Sequence, residues 1–266
     1  MMKILVIGDP HGHVDKIPLR IKKEIDLIIV VGDIGKADLA RKYFFENVKR
    51  KQKGLGEIEL KPKIAKKIYE EVHFSTIKIL KDLSKIAPVY FISGNVGIYG
   101  REDAKKSEKK YGVRFPCTLD EIKKMKKVHL VKNSIRKIGK LRVGFLEYFV
   151  DASWVKEFKP SDYKEKLVSA KIETEKARRI LKNFGKLDIL VCHQPPYGIL
   201  DKVSFKAAPK NWQGKSAGSL VILNYIKKNK PRFVFCGHIH EGEGFKKFEG
   251  SEIYNLGCSK WKLFEI

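Results

Sequence analysis

Nowhere in this 266-residue chain does an apolar run approach the roughly 18 residues that a membrane-spanning helix needs. The first apolar run, Ile4 to Ile7, stops at Gly8, which is too short for the core of a signal peptide. Cysteine is scarce. Cys117, Cys192, Cys236 and Cys258 form no C-x-x-C pair, which argues against a disulfide framework or a zinc ribbon and fits a reducing compartment. The expectation is a cytoplasmic protein without a membrane partner. Internal repeats and low-complexity tracts are missing as well.

Negative charge is in short supply. Thirty-one Asp and Glu face 56 Lys and Arg, a formal net charge of +25. Arginine is also sparse, supplying only ten of those 56 cations. Clefts that read nucleic acid favour the bidentate guanidinium, whereas lysine is the ordinary solvated cation. The lysines are scattered in pairs such as Lys22-Lys23, Lys66-Lys67 and Lys109-Lys110. So positive a field attracts polyanions. Phosphate esters satisfy it as well as nucleic acid does, and nucleic acid is the lesser expectation.

What the chain does have is a series of short runs of branched and aromatic residues, each ending in a small or polar cluster. Ile4-Leu5-Val6-Ile7 leads to Gly8-Asp9-Pro10-His11. Residues 27–31 lead to Gly32-Asp33, and residues 89–92 to Ser93-Gly94-Asn95. Residues 187–191 lead to Cys192-His193, and residues 233–235 to Cys236-Gly237-His238-Ile239-His240. Such runs read as buried strands. Helical periodicity covers 15–24, 64–85, 161–182 (with Ser161-Asp162 as the cap) and 216–229 (opening at Ser216). Residues 128–131 and 135–149 read as a hairpin turning at Gly139-Lys140, and 245–266 as further strands. The alternation predicts a mixed α/β sandwich. One domain over 1–266 is expected, with insertions near 34–63, 97–127 and 194–219; the first two are Lys-rich and weakly periodic.

Five of the seven histidines fall in the loops after these strands. Ligand sites in open α/β sheets lie beyond the carboxyl ends of strands, so the five loops are expected to converge. His73, in a helical pattern, and His129, in a strand, read as structural. Asp9-x-His11 and His238-x-His240 place two ligands on one side of extended backbone. Imidazole with carboxylate suits Mn²⁺, Fe, Zn²⁺ or Ni²⁺ rather than Ca²⁺. A carboxylate such as Asp33 can bridge two cations, and two cations a few ångströms apart can neutralise a phosphate and activate water.

The ordered blocks GDPH (8–11), GD (32–33), GN (94–95), VCHQPP (191–196) and GHIH (237–240) resemble those of the calcineurin-like metallophosphoesterase superfamily. The resemblance spans 8–240. It implies a four-layer αββα sandwich of two mixed β-sheets with two divalent metal ions at strand carboxyl ends, manganese being the metal of choice for assay. By that resemblance Asp9, His11 and His240 hold the first metal. Asn95, His193 and His238 hold the second, and Asp33 bridges both, with a water or hydroxide as nucleophile. It implies hydrolysis of a phosphate ester, a phosphodiester or nucleotide being preferred. A nuclease of the same fold and a non-catalytic scaffold remain as rivals.

The third block departs from the family pattern. Relatives carry Gly-Asn-His followed by an acid, with the His thought to protonate the leaving group; here Val96-Gly97 follow Asn95. The second block likewise lacks its second Asp, reading Gly32-Asp33-Ile34-Gly35. His13 is the expected substitute, touching substrate and supplying the proton, so His13, Asp33 and Asn95 form the candidate catalytic set. In the loop 194–219, Tyr197, Phe205 and Trp212 are candidates to stack on a base or cover the metals. Ser219, at a helix start, is a candidate anion contact. Glu147-Tyr148-Phe149 could line the same cleft.

Overall fold

Alternation of side chains along each strand decides this fold. The computed structural model describes residues 1–160, 162–206 and 208–266. In chain order the elements are β1 (Lys3–Ile7), α1 (Leu19–Lys22), β2 (Leu27–Val30), α2 (Asp38–Gln52), α3 (Pro62–Ser84), β3 (Val89–Phe91), α4 (Arg101–Tyr111), α5 (Thr118–Lys123), β4 (Val128–Leu130), β5 (Ser134–Ile138), β6 (Leu141–Leu146), α6 (Ala152–Phe158), α7 (Tyr163–Phe184), β7 (Ile189–Cys192), α8 (Leu220–Asn229), β8 (Phe233–Cys236), β9 (Gly244–Phe248), β10 (Ser251–Asn255) and β11 (Trp261–Glu265).

The strands form a five-stranded sheet, order β11-β1-β2-β3-β4, and a six-stranded sheet, order β5-β6-β7-β8-β10-β9. In the first, β1 to β4 run parallel and β11 is antiparallel to β1. In the second, β6, β7, β8 and β10 run parallel, flanked by antiparallel β5 and β9. Both sheets are therefore mixed. Ile4, Val6 and Ile29 of the first sheet meet Val143, Phe145, Val191 and Phe235 of the second in one core. Leu5, Ile7, Ile28 and Val30 face the other way, onto Ile77, Leu80 and Leu83 of α3. Leu190, Cys192, Val234 and Cys236 face Leu181 of α7 and Ile222 and Ile226 of α8. Strands buried on both faces need apolar residues at consecutive positions, which explains the unbroken runs in the sequence. Each such fully buried side chain contributes about 1.5–3 kcal/mol. The order helix, sheet, sheet, helix is the expected four-layer sandwich.

Pro62 starts α3 where its missing N–H costs nothing. His73 sits on the buried face of α3 with Nδ1 3.0 Å from Thr118 Oγ1, the structural role expected of it. His129 is exposed and lies against the Tyr90 ring. Two expectations are corrected. Residues 128–131 are not part of the hairpin: β4 pairs with β3 in the first sheet, and only β5 and β6 form the hairpin. The chain changes sheets at Asn133, which takes a left-handed φ of 42° and locks onto Glu147 through its side chain. The helix expected from 216 starts at Leu220, because Ser216 and Ser219 are held in β-bridges to Lys202 and Pro196. Of the expected cap of α7, Asp162 stands at the cap position but its side chain makes no cap hydrogen bond, and Ser161 lies outside the described residues. Among the described residues no helix is long and apolar enough to cross a membrane, and the four cysteines are unpaired.

Candidate metal centre

The loops after β1, β2, β3, β7 and β8 meet at one end of the two sheets. Backbone hydrogen bonds join them: His11 N–H donates to Asp33 O and Gly12 N–H to Ile34 O, both at 2.9 Å. Gly237 N–H donates to His193 O, also at 2.9 Å. His11, Asp33 and His238 have φ of 43°, 43° and 67°. They are three of the nine non-glycine residues with positive φ among those described, a clustering of backbone strain typical of functional sites. Two glycines that precede candidate ligands are fixed by lack of space. A Cβ on Gly94 would lie 2.1 Å from Asp33 Oδ1, and one on Gly237 2.2 Å from Asp9 Oδ1. At both, the carboxylate of a candidate ligand occupies the space a side chain would need.

The seven side chains fall into two groups sharing an edge. In the first, His240 Nε2 is 3.2 Å from Asp9 Oδ2 and 3.3 Å from His11 Nε2. In the second, Asn95 Oδ1 is 2.9 Å from His193 Nε2 and 2.8 Å from His238 Nδ1. Asp33 Oδ2 lies between them, 3.7 Å from His11 Nε2 and 3.7 Å from His193 Nε2. Asp9, Asp33 and His193 also cluster, but His193 faces Asp9 through Nδ1 at 3.8 Å. That nitrogen already meets the Val31 carbonyl at 3.0 Å. Asp33 is therefore the carboxylate placed to serve both groups.

The donor and acceptor inventory shows what the cluster fits. With Nδ1–H of His193 donating to Val31 O, Nε2 presents a lone pair to Asn95 Oδ1, which can only accept. Asp9 Oδ1 and His11 Nδ1 are buried with no hydrogen-bond partner among the described residues. Burial alone would raise the Asp9 carboxyl, but His193, His240 and His11 reverse this and hold it below the usual range. Burial pushes His11 down against the pull of Asp33 and Asp9, and pushes His238 down to about 3. Ionised carboxylate and neutral imidazole are the ligand forms of these groups. Nitrogen and oxygen atoms able to act as ligands, converging on a common space, fit divalent cations. The imidazole and carboxylate donors suit Mn²⁺, Fe, Zn²⁺ or Ni²⁺.

The family model of the calcineurin-like phosphoesterases matches residues 2–242, nearly the whole chain. The chain belongs to the calcineurin-like phosphoesterase family. A solved structure 15% identical, with 99% of this chain and 98% of its own covered, superposes at a TM-score of 0.56 and shows the same fold. The phosphopantetheinyl hydrolase of Mycobacterium tuberculosis is similar at 13% identity over 96% of this chain and 88% of its own, at a TM-score of 0.48. No curated protein matches the chain.

Other residues singled out in the sequence lie elsewhere in this calcineurin-like phosphoesterase. His13 does not join the seven. Its side chain is 72% exposed and lies 3.6 Å from Asp15, at an open cleft it shares with Lys16, Lys22 and Lys78. Trp212 packs edge-on against Phe158 at 5.3 Å and Trp154 at 5.9 Å, so aromatic packing accounts for it. Tyr197 is half-buried, and its backbone N–H donates to Ser219 O. Ser219 is fully buried and cannot reach an anion. Its hydroxyl donates to Asp151 Oδ2 at 2.5 Å and accepts from Ile222 N–H at 3.2 Å, capping α8. Ser219→Ala is expected to cost about 1–2 kcal/mol of stability through the lost cap, leaving KM unchanged. Urea unfolding beside steady-state rates checks this, and a raised KM at unchanged stability would restore the anion role.

Two residues belong near the site that sequence reasoning placed weakly or missed. Tyr148 follows β6, whose neighbour β7 leads into His193, and its ring lies 5.7 Å from His193 and 5.4 Å from His238. Arg41 comes from α2, in the weakly periodic insertion. Its guanidinium lies 5.8 Å from the centre of the Phe205 ring, itself 5.7 Å from Phe45. Arg41 has no carboxylate partner among the described residues, and its charge adds to the downward push on His11. The available signal was that Arg41 is one of so few arginines.

Proposed function

We propose that this chain is a metal-dependent phosphoesterase acting on phosphodiester or nucleotide-type substrates, with Asp9, His11, Asp33, Asn95, His193, His238 and His240 holding two divalent ions. The observation that supports the reading is the convergence of seven side chains that carry ligand nitrogens and oxygens on one space. Two divalent ions bound there supply neutralisation of the phosphate and a lowered pKa for water.

The chain's own residues position the rest. Val96 N–H donates to Asp33 Oδ1 at 2.7 Å and His238 N–H to Asp9 Oδ2 at 2.6 Å, so each carboxylate is oriented by the loop of another block. Val31 O fixes the tautomer of His193. Arg41, uncommitted to any carboxylate, offers a planar fork to phosphate oxygens, and Phe205 beneath it offers a face to a base. That pairing supports a nucleotide-type substrate over a small monoester.

The test is metal analysis with a screen of bis(p-nitrophenyl) phosphate, p-nitrophenyl phosphate and nucleotides with Mn²⁺, Ni²⁺ and Mg²⁺. Two ions per chain and faster turnover of the diester or nucleotides are expected, with Arg41→Ala raising KM by about tenfold through loss of a charge-assisted contact. A chain that binds two ions yet turns over no ester would overturn the enzymatic reading. Preference for the monoester would overturn the substrate class.

A further inference from the structure

The family pattern leaves a gap at Val96, whose side chain has no proton to give where relatives carry histidine. His13 is turned to solvent and to Asp15. Arg41 serves the phosphate oxygens in the proposed function; Ser219 and two lysines, Lys36 and Lys215, are already engaged. Lys36 pairs with Asp38 at 3.3 Å and Glu71 at 3.7 Å, Lys215 donates to Glu157 O at 2.8 Å, and Ser219 is bound to Asp151.

Tyr148 is placed differently. Its backbone N–H donates to Ser93 O at 3.2 Å, so it flanks the loop that runs on through Gly94 and Asn95 to Val96. Its ring stands edge-on to His193, at 83°, and tilted by 48° against His238. The side chain thus borders the second group of candidate ligands on the side of the third block. It is half-buried, and its hydroxyl has no hydrogen-bond partner among the described residues. A phenol carried to the edge of a polar site, held by backbone and ring contacts with its hydroxyl unspent, is arranged to give a hydrogen bond to something that enters. A phenol keeps its proton in neutral solution, so the hydroxyl is a donor.

Resting on the phosphoesterase reading, we infer that Tyr148 is a catalytic residue whose hydroxyl donates a hydrogen bond to the departing oxygen of the substrate, in the place left by the histidine absent at Val96. The bond broken is that between phosphorus and the leaving oxygen, whose electron pair stays on that oxygen. Water supplies hydroxide to phosphorus and the remaining proton to the leaving group, while the tyrosine keeps its own. The hydrogen bond strengthens as charge builds on the departing oxygen, so it counts most for leaving groups that bear charge poorly.

The experiment is a series of aryl and alkyl phosphodiesters with Mn²⁺, run on wild type, on Tyr148→Phe, on Val96→His with Gly97→Asp, and on all three changes together. Tyr148→Phe keeps the ring and removes only the hydroxyl. Alkyl esters are expected to slow by roughly 10²-fold, the lower end of what a positioned acid supplies, and p-nitrophenyl esters by only a few-fold. The dependence of rate on leaving-group pKa then steepens while metal content and thermal midpoint stay at wild type. Restoring the His-Asp pair is expected to change wild type little and to flatten the slope again in the Tyr148→Phe background. Binding of inorganic phosphate, read by calorimetry without turnover, is expected to weaken by about tenfold in Tyr148→Phe, as for loss of one hydrogen bond to a charged group. An unchanged slope in an active Tyr148→Phe overturns this inference and leaves the phosphoesterase reading standing. A steepened slope with loss of metal also overturns it, because the hydroxyl would then act through the ligands. Absence of turnover in wild type with every ester and metal overturns both.

Discussion

Asp33→Ala is expected to lower hydrolysis by on the order of 10³-fold or more and to take bound metal from two ions per chain to one or none. Asp33 Oδ2 stands 3.7 Å from a nitrogen of each group, so it is the one carboxylate shared on geometry. Its removal takes a negative charge from between two cations and leaves their repulsion unscreened. It also strips Val96 N–H of its acceptor at 2.7 Å, freeing the loop that carries Asn95. Asp33→Asn separates these effects, since it retains an acceptor for Val96 but not the charge. It should lose metal nearly as badly while the loop stays ordered. His240→Ala, which touches only the first group, should cost less than Asp33→Ala. Metal analysis and initial rates across the ligand series give the answer. Two retained ions with more than a tenth of wild-type turnover in Asp33→Ala would remove the bridging assignment.

Gly94→Ala is expected to damage the centre as well, without replacing a candidate ligand. The added Cβ would sit 2.1 Å from Asp33 Oδ1, 2.7 Å from Asp33 N and 2.7 Å from His193 Cε1. None of these can retreat cheaply. Asp33 already holds a left-handed φ, and His193 is pinned to the Val31 carbonyl. Overpacking of this kind costs about 1–3 kcal/mol, and for a chain of this size about 2–4 °C of Tm per kcal/mol. Because both displaced side chains are candidate ligands, metal affinity should fall by about 10–100-fold as well. Gly56→Ala is the control, since nothing lies within 4 Å of its added Cβ. A Gly94→Ala protein with wild-type Tm and metal content would show that the site tolerates the methyl.

The strand-and-ligand frame was readable because its signals are local and redundant. Ile4 to Ile7 and Leu27 to Val30 are apolar on both faces because helices cover one side and a second sheet the other, and each ends at the residue that carries chemistry. The sheet to which Val128–Leu130 belongs was not readable. Three alternating residues specify a strand but no partner, and the switch depends on Asn133 pairing with Glu147, a contact made only in the folded chain. Ser219 illustrates a related ambiguity. A serine at a helix start is equally fit to cap or to bind an anion, and only its burial beneath Asp151 decides between them. Tyr148 and Arg41 were weak in the sequence for a third reason. Nothing in their neighbourhoods is periodic or motif-like, and their relevance comes from what the fold lays beside them.

The pairing of β11 with β1 bears on how the protein is made. On the ribosome, β1 emerges ahead of β2 and can find it within about 20 residues of chain, but its other edge waits for β11 to be translated. The same delay governs the metal centre, because Asp9 and His240 are separated by 231 positions. A nascent chain therefore carries Asp9, His11 and Asp33 for most of its synthesis without the histidines that complete either group. Pairings this distant in sequence close slowly and leave apolar edges open in the meantime. On the proposed ligand set, metal loading waits until residue 240 is translated, and an arrest before that point leaves a fragment without a complete candidate centre.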